Sequence, residues 1–247
     1  TSAIAFVEAE VNGAGGVSGL DAPQGVVTAP DPDGAFGPAT GGDFVYTASH
    51  VSNAIDLFAR DSGTGELAFV ASYLDGTNGL DGFGGAAGLA ISPDGKNLYA
   101  TGSTDDAIAV FGRDPSTGVL TAVEVQRESD PVVDGLDGAA PVAVSPDGDH
   151  VYVASADDDA LSVFARAADT GALTYVMRAK DGFGGVDLGT MSEPVAVAIP
   201  PDGAQVLVAG AQSDSIAVFA RDAATGAVLL QQVLYDGVDG VDGLDLV

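Results

Sequence analysis

The chain has 247 residues, of which 36 are acidic and 8 are basic, so its formal net charge at pH 7 is −28. This charge argues against nucleic acid or an anionic membrane as a partner, because both are bound through basic patches. Cations, or a basic protein, are the expected complements. There is no cysteine and no transmembrane segment, and a hydrophobic content of 46% suffices for one sizeable core.

Four inexact copies of one unit fill most of the chain. Their Phe-x-Arg steps begin at Phe58, Phe111, Phe164 and Phe219, which lie 53, 53 and 55 residues apart. A Thr-Gly pair keeps the same spacing, and so do the Pro-Asp-Gly turns except the first, at Gly34. A period of this length, with several short strands in each copy, indicates a propeller or a related array.

The clearest copy, residues 139–173, shows how each unit divides into strands. Apolar residues alternate at period two between segments rich in Gly, Pro and Asp, a pattern that predicts strands. In the third copy these predicted strands are 142–145, 151–155, 161–165 and 173–177. No segment has the length and period of an amphipathic helix. The sequence therefore predicts an all-β protein, a β-propeller of four-stranded blades.

We expect one propeller domain over residues 1–247, with spare strands at its two ends. The four blades are expected at residues 26–74, 75–125, 126–178 and 179–235. Residues 1–25 should hold a spare outer strand, at 3–11, and a connector, and residues 236–247 an acidic Asp-Gly tail. Whether four blades close into a ring stays open at this point. Terminal strands that pair with a neighbouring subunit would build a filament.

The run VAVSPDGDHVYVAS, followed by ALSVFARAADTGALT, resembles the YVTN-type repeats of the lactonase-like β-propeller family. The resemblance covers residues 20–234. It implies a propeller fold and, where members of the family act as lactonases, seven blades. Such blades also occur in surface and binding proteins, and no residue of this chain matches a catalytic motif.

Acidic residues should be concentrated on one face of the disc. Antiparallel strands place the turn after strand two, and the connector to the next blade, on the face opposite the other turns. Connector carboxylates on this acidic face are the candidate metal ligands, because Asp side chains in Gly-rich loops suit hard cations such as calcium. These candidates are Asp75, Asp81, Asp134, Asp137, Asp181, Asp187, Asp236, Asp239, Asp242 and Asp245. Turn formation alone, or adaptation to high salt, explains the same residues without a metal.

Catalytic constellations are sparse in the sequence. The two histidines, His50 and His150, should lie on opposite faces, each as a solvated turn residue. The residues Asn53, Asp106, Asp159 and Asp214 match from copy to copy and are expected to cap turns. The repeated Phe and Arg are expected to pack between blades and to form surface salt bridges. No catalytic or cofactor-binding residue is assigned.

The sequence leaves catalysis open and favours a non-catalytic role. Near-equal copies and apolar innermost strands argue against an active site, which needs one blade to differ chemically from the rest. We therefore expect an exported structural protein, a self-associating propeller of a surface or extracellular assembly, with calcium as a stabilising ion. A start at Thr1 without Met is typical of a removed signal or pro-segment, or of a chain that has simply been trimmed. The alternative is a metal-dependent lactonase-like hydrolase.

Overall fold

The computed structural model of the chain describes residues 7–14, 16–30, 43–183, 185–187 and 189–243. Within these ranges sixteen strands form four antiparallel sheets, each made of four consecutive strands, and no helix is present. The all-β propeller architecture predicted from the repeats is confirmed. No helix that is long and apolar enough to cross a membrane occurs in this part of the chain.

The sheets are the blades, and each blade takes its strands in chain order. Blade 1 contains β1 (Pro23–Pro30), β2 (Asp43–Ser49), β3 (Ala54–Arg60) and β4 (Leu67–Leu74). Blade 2 contains β5 (Ala86–Ile91), β6 (Asn97–Gly102), β7 (Ala107–Arg113) and β8 (Leu120–Arg127). Blade 3 contains β9 (Ala139–Val144), β10 (His150–Ser155), β11 (Ala160–Arg166) and β12 (Leu173–Lys180). Blade 4 contains β13 (Pro194–Ala198), β14 (Gln205–Gly210), β15 (Ser215–Arg221) and β16 (Val228–Tyr235).

Adjacent blades pack face to face, and the core lies in the layers between them. Because side chains alternate across a strand, each middle strand contributes apolar residues to both neighbours. Tyr46 and Leu57 of blade 1 pack with Leu98 and Phe111 of blade 2 in one fully buried layer. Equivalent layers join blade 2 to blade 3 and blade 3 to blade 4. The two-residue period of the sequence thus produces the packing that holds the blades together.

A tyrosine and an arginine clamp each pair of adjacent blades. Arg221 of blade 4 donates from Nε to the hydroxyl of Tyr152 in blade 3 over 2.8 Å, and that hydroxyl donates to the carbonyl of Gly226. The same pair of contacts joins Arg166 to Tyr99 and Arg113 to Tyr46. Arg113, Arg166 and Arg221 are therefore buried between blades, as expected for inter-blade packing, whereas Arg60 is half-buried. Arg166 and Arg221 also form the expected salt bridges, to Asp94 and Asp147, but with buried guanidinium groups that pair with the preceding blade.

The expected outer strand at residues 3–11 is not present over its described part. Residues 7–11 have no strand structure. They run beside the start of β4, where the Glu8 carboxylate accepts a hydrogen bond from the backbone NH of Leu67. The following residues Val17 and Leu20 pack on the outer face of blade 1 against Val45 and Phe58. An apolar side-chain contact replaces the backbone ladder that the alternating pattern predicted.

Two other expectations fall on residues that the structure does not describe. The first Pro-Asp-Gly turn, at Gly34, and the last candidate metal ligand, Asp245, lie outside the described ranges.

Candidate functional site

The inner strands of the four blades line one central groove. Its volume is about 440 Å³, and β1, β5, β9 and β13 contribute equally to its wall. The wall consists of Gln24, Gly25, Val26, Ala87, Gly88, Leu89, Ala140, Pro141, Val142, Val195, Ala196 and Val197. The described part of this wall is mainly backbone and aliphatic, as the apolar inner strands predicted. A groove of this size is large enough for a sugar-sized ligand.

Two glycines let neighbouring inner strands approach closely. A Cβ added at Gly88 would lie 1.9 Å from the carbonyl oxygen of Ala140, and one at Gly25 would lie 2.5 Å from that of Ala87. Such distances are far below van der Waals contact, so a side chain at either position would push two blades apart. The width of the groove therefore depends on these two residues.

The position of the groove along the inner strands can be compared with the acidic face. Its lining residues are the second to fourth residues of each inner strand, which in β1, β5 and β9 lie nearer to the end that follows the connector. Because the strands within each blade are antiparallel, the turns between second and third strands lie at the same end. Connectors and turns carry most of the Asp side chains near the mouth, including Asp105, Asp106 and Asp157. A ligand that enters the groove from this end passes through a negative potential.

The matched residues of these turns join each blade to the next. Asn53, Asp106 and Asp159 have positive φ angles of 50°, 49° and 50°, a conformation that Asn and Asp tolerate better than most residues. Each also accepts, on its side-chain oxygen, a hydrogen bond from a backbone NH of the following blade, as Asp106 does from Gly138 over 3.0 Å. They are turn residues, as the sequence predicted, and they fix the position of the next inner strand as well.

The connector of blade 2 brings two predicted metal ligands together. Asp75 and Asp81 join Asp105 in a group whose carboxylate oxygens lie within 4.8 Å of one another. Arg127 contacts two of these carboxylates, Asp81 at 2.6 Å and Asp105 at 3.9 Å. Burial, first, and the nearby Asp105 raise the pKa of the Asp75 carboxyl. A guanidinium group thus already neutralises part of this cluster.

A second group combines the predicted ligand Asp134 with Glu128 and Asp158. Here too basic side chains are in contact, since Arg178 pairs with Asp134 and Lys180 with Asp158. The neighbouring Asp137 has a raised pKa because of burial and the adjacent Asp106 and Asp158 carboxylates.

The remaining predicted ligands are apart from these clusters. Asp181 is buried and accepts hydrogen bonds from the Thr190 and Gly189 backbone and the Ser192 hydroxyl, so it holds a loop closed. The Asp236 carboxylate accepts one from the backbone of Gly243. Asp187, Asp239 and Asp242 are exposed. Calcium binding by connector carboxylates stays a prediction.

The two histidines differ in environment. His50 lies at the end of β2, where its backbone NH donates to the Ala22 carbonyl at the entrance to β1. His150 is only 4% exposed, and its Nδ1 lies 2.9 Å from Nη2 of Arg221. The expectation of a solvated turn residue is wrong for His150, because the neighbouring blade covers it. Asn97 holds the same position against Arg166 in blade 2.

Most of the chemistry available to a ligand in the groove comes from peptide groups. The described wall contains one polar side chain, the amide of Gln24, and no titratable group. Asp21 and His50 are titratable residues at the entrance to β1, where the His50 NH donates to the Ala22 carbonyl and the Val51 NH to the Asp21 carbonyl. The arrangement can bind a neutral polar molecule through its carbonyl and hydroxyl groups, with proton transfer confined to the mouth.

Known proteins that are similar to this chain include lactonase-type β-propellers. The family described as lactonase, 7-bladed beta-propeller, matches residues 33–130 and 128–235. A 6-phosphogluconolactonase of Formosa agariphila is 29% identical over 136 residues, which are 53% of this chain and 35% of that protein.

Two solved structures show the same fold. The periplasmic gluconolactonase of Pseudomonas aeruginosa is 25% identical, with a TM-score of 0.68 over 94% of this chain and 60% of that one. A putative 6-phosphogluconolactonase of Bacteroides uniformis is 21% identical, with a TM-score of 0.66 over 89% and 55%. The chain therefore spans about a third to three fifths of the length of these proteins.

These similarities correct the functional expectation drawn from the sequence. A non-catalytic structural protein that forms filaments at the cell surface is wrong, because the family match and the named relatives favour the lactonase-like alternative. Near-equal copies do not exclude an active site. The repeated Tyr, Arg and Asx residues form contacts between blades, which any propeller needs. Their regularity therefore indicates how the blades pack and gives no evidence for or against catalysis.

Proposed function

We propose, on the premise that this chain belongs to the lactonase family of seven-bladed β-propellers, that it takes part in hydrolysing an uncharged sugar lactone at the mouth of its central groove. The observation that carries the proposal is the groove itself, about 440 Å³ in volume and lined by all four inner strands. Pockets of this size at the centre of a fold are the usual place for a small-molecule site.

The proposed reaction adds water to the lactone carbonyl and breaks the ring C–O bond, giving an aldonic acid that loses its proton at neutral pH. Peptide NH groups and the Gln24 amide would donate hydrogen bonds to the carbonyl oxygen as negative charge develops there. A base at the mouth would accept the proton of the attacking water, and Asp21 and His50 are the candidates for this role.

The charge of the molecule supports an uncharged substrate. The named relatives include proteins for a phosphorylated lactone and for gluconolactone, which differ by the charge of a phosphate group. With a formal charge of −28 and carboxylates around the mouth, this chain repels a phosphate dianion. A neutral aldonolactone meets no such barrier.

We also propose export from the cytoplasm. The periplasmic location of the Pseudomonas aeruginosa protein supports it. Self-association stays a prediction.

The test is proton release in a weakly buffered solution, with D-glucono-1,5-lactone and its 6-phosphate as paired substrates. We expect hydrolysis of the neutral lactone above the spontaneous rate, and a kcat/KM at least tenfold lower for the phosphorylated one. Added salt should reduce the difference in kcat/KM between the two substrates, because screening shortens the range of the repulsion between the phosphate and the carboxylates to about 8–10 Å. Equal rates for both substrates would contradict the charge argument, and no acceleration of either would contradict the proposed activity.

A further inference from the structure

One row of side chains in blade 1 differs from the same row in the other blades. Thr47, Asp56 and Ser72 are register partners on β2, β3 and β4, so their side chains lie side by side on one face. The matching rows of blades 2 and 4 are apolar: Ala100, Ala109 and Val125, and Val208, Ala217 and Val233. Blade 1 alone carries three oxygen-bearing side chains there.

These oxygens are buried and have few partners. Asp56 and Ser49, which is two residues beyond Thr47 on the same face, are both 0% exposed. The hydroxyls of Thr47 and Ser49 have no hydrogen-bond partner among the described residues, and the only group that interacts with the Asp56 carboxylate there is the adjacent Ser72 hydroxyl. Leaving a buried polar group unpaired is costly, so this row calls for a ligand.

A glycine of the N-terminal segment closes the row from outside. A Cβ at Gly19 would lie 2.6 Å from Oδ1 of Asp56 and 2.8 Å from Oγ of Ser72. The adjacent Val17 is 2% exposed and packs beside the row on Val45 and Phe58. The N-terminal segment therefore covers the row, and its backbone at Gly19 closely approaches the Asp56 and Ser72 oxygens.

Blade 3 shows which kind of group this position needs. There Ser162 stands where blade 1 has Asp56, and its hydroxyl donates to the carbonyls of Asp134 and Gly135 in the connector. Gly135 lies against Ser162 as Gly19 lies against Asp56. An ionised carboxylate has no hydrogen to donate to such a connector. It needs a positive charge between itself and the surrounding oxygens.

The described residues place no basic side chain at this point. Burial raises the pKa of Asp56 to about 6, and the neighbouring Ser72 hydroxyl opposes the shift. No charged group contributes to that shift. At neutral pH the carboxylate is therefore largely ionised and buried without a counter-charge, a condition that proteins avoid by pairing or by binding a cation.

We propose that blade 1 holds a monovalent metal cation of the sodium type, coordinated by the Asp56 carboxylate and the hydroxyl of its register partner Ser72. Hard cations take oxygen ligands of these kinds. One carboxylate among neutral oxygens balances a single positive charge, whereas divalent sites generally combine more carboxylates. The bound ion fastens the segment that contains Val17 and Gly19 to blade 1. This site lies apart from the groove and does not depend on lactone hydrolysis.

The test compares thermal unfolding in sodium chloride and in choline chloride at equal ionic strength. Both salts screen the acidic surface alike, but choline is too large for the row. At about pH 8, where Asp56 is ionised, sodium at roughly five times its Kd should raise the Tm of the wild type by about 2–4 °C relative to choline. Asp56→Asn should abolish the difference. Asp157→Asn, which removes an exposed carboxylate of the acidic face, should preserve it.

A second variant keeps the test decisive if Asp56→Asn folds poorly. Ser72→Ala removes one hydroxyl ligand and should raise the half-saturating sodium concentration by about fivefold, the loss of roughly one hydrogen-bond equivalent. Equal Tm values in the two salts for the wild type would overturn the proposal. If the wild type were insensitive to sodium and gained stability only on acidification, a proton on Asp56 would occupy the row instead, and the cation would be excluded.

Discussion

At the residue scale, the contacts between blades depend on a few buried polar side chains. Arg221 makes hydrogen bonds to Tyr152 and to the Gly203 carbonyl, and a salt bridge to Asp147 at 2.7 Å, while its side chain is 1% exposed. The Arg221 guanidinium and the Ser145 hydroxyl lower the pKa of Asp147 to about 2 although burial opposes the shift. A buried arginine is tolerated only where such partners surround it.

Removing one hydroxyl should therefore weaken the joint between blades 3 and 4. Tyr152→Phe deprives Arg221 Nε of its acceptor and the Gly226 carbonyl of its donor. We expect a loss of about 2 kcal/mol in the free energy of unfolding, because a hydrogen bond to a buried charged group is lost. Urea denaturation measures the change. Tyr235→Phe is the matched control, at a half-buried tyrosine outside the clamp, and a loss of equal size there would contradict the account.

His150 should make stability depend on pH. Burial and the Arg221 charge lower its pKa from 6.5, so the unfolded chain binds the proton more readily than the folded one. The stabilisation is present above pH 6.5 and is lost as the pH falls through that value toward the folded pKa.

The variant His150→Asn restores the residue type that blade 2 has at Asn97. Compared with this variant, the wild type should lose Tm as the pH falls from about 7.5 to about 5. The difference in Tm between the two proteins reports the contribution of His150 alone. The Asp56 carboxyl, with its raised pKa, stabilises the fold as the pH falls, but it does so equally in both proteins and its effect cancels. Parallel Tm curves over this range would show that the histidine does not titrate as argued.

At the element scale, the shape of the groove follows from how closely inner strands approach. Gly88→Ala places a methyl group 1.9 Å from the Ala140 carbonyl oxygen, so β5 and β9 must separate. We expect a loss of at least about 2 kcal/mol in unfolding free energy, as for an overpacked core position. At Gly112 the nearest atoms to an added Cβ are 3.8 Å away, so Gly112→Ala should be nearly neutral. Chemical denaturation measures the unfolding free energy of both variants. An unchanged unfolding free energy for Gly88→Ala would contradict the close approach of β5 and β9.

The elements themselves were accessible from the sequence, because strand alternation and Pro-Asp-Gly turns repeat in every blade. The expected strand 151–155 corresponds to β10 (His150–Ser155), and the expected 161–165 to β11 (Ala160–Arg166). The role of Tyr99 between blades was not predicted, although Tyr46, Tyr99 and Tyr152 recur every 53 residues. Which blade supplies an acceptor depends on the packing of whole sheets, and local periodicity contains no information about that.

The candidate site was harder to predict for the same reason. The connector aspartates were recognised as possible ligands, but sequence spacing did not show that Arg127 neutralises Asp81, or that Asp181 closes a loop. The polar row at Asp56 was not predicted from the sequence, because its residues are distant in sequence and only blade 1 has polar residues at all three of these repeat positions. A comparison of blades at matched positions, rather than a search for motifs, would have found it.

At the scale of the whole molecule, the proposed function rests on two features, the acidic charge and the central groove between the blades. Four blades surround one apolar groove, and the connectors and turns at the end of the inner strands where β1, β5, β9 and β13 begin carry most of the Asp residues. For the proposed lactone hydrolysis, we expect the acidic surface to select among lactones by charge and the groove to select them by size. The proposal needs a proton-transferring group only at the mouth of the groove, so it is compatible with a wall that has no titratable group in its described part.

The most direct measurement is the rate of D-glucono-1,5-lactone opening in the presence of the purified chain, for the wild type and for Ala196→Trp. Ala196 is exposed in the groove wall, so the indole should fill the groove and leave the core intact. Val132→Trp, at a side chain that is 73% exposed outside the groove, is the control. We expect a rate that rises linearly with protein concentration, falls at least tenfold in Ala196→Trp and is unchanged in Val132→Trp. A wild-type rate equal to spontaneous hydrolysis, or an undiminished rate in Ala196→Trp, would contradict this expectation.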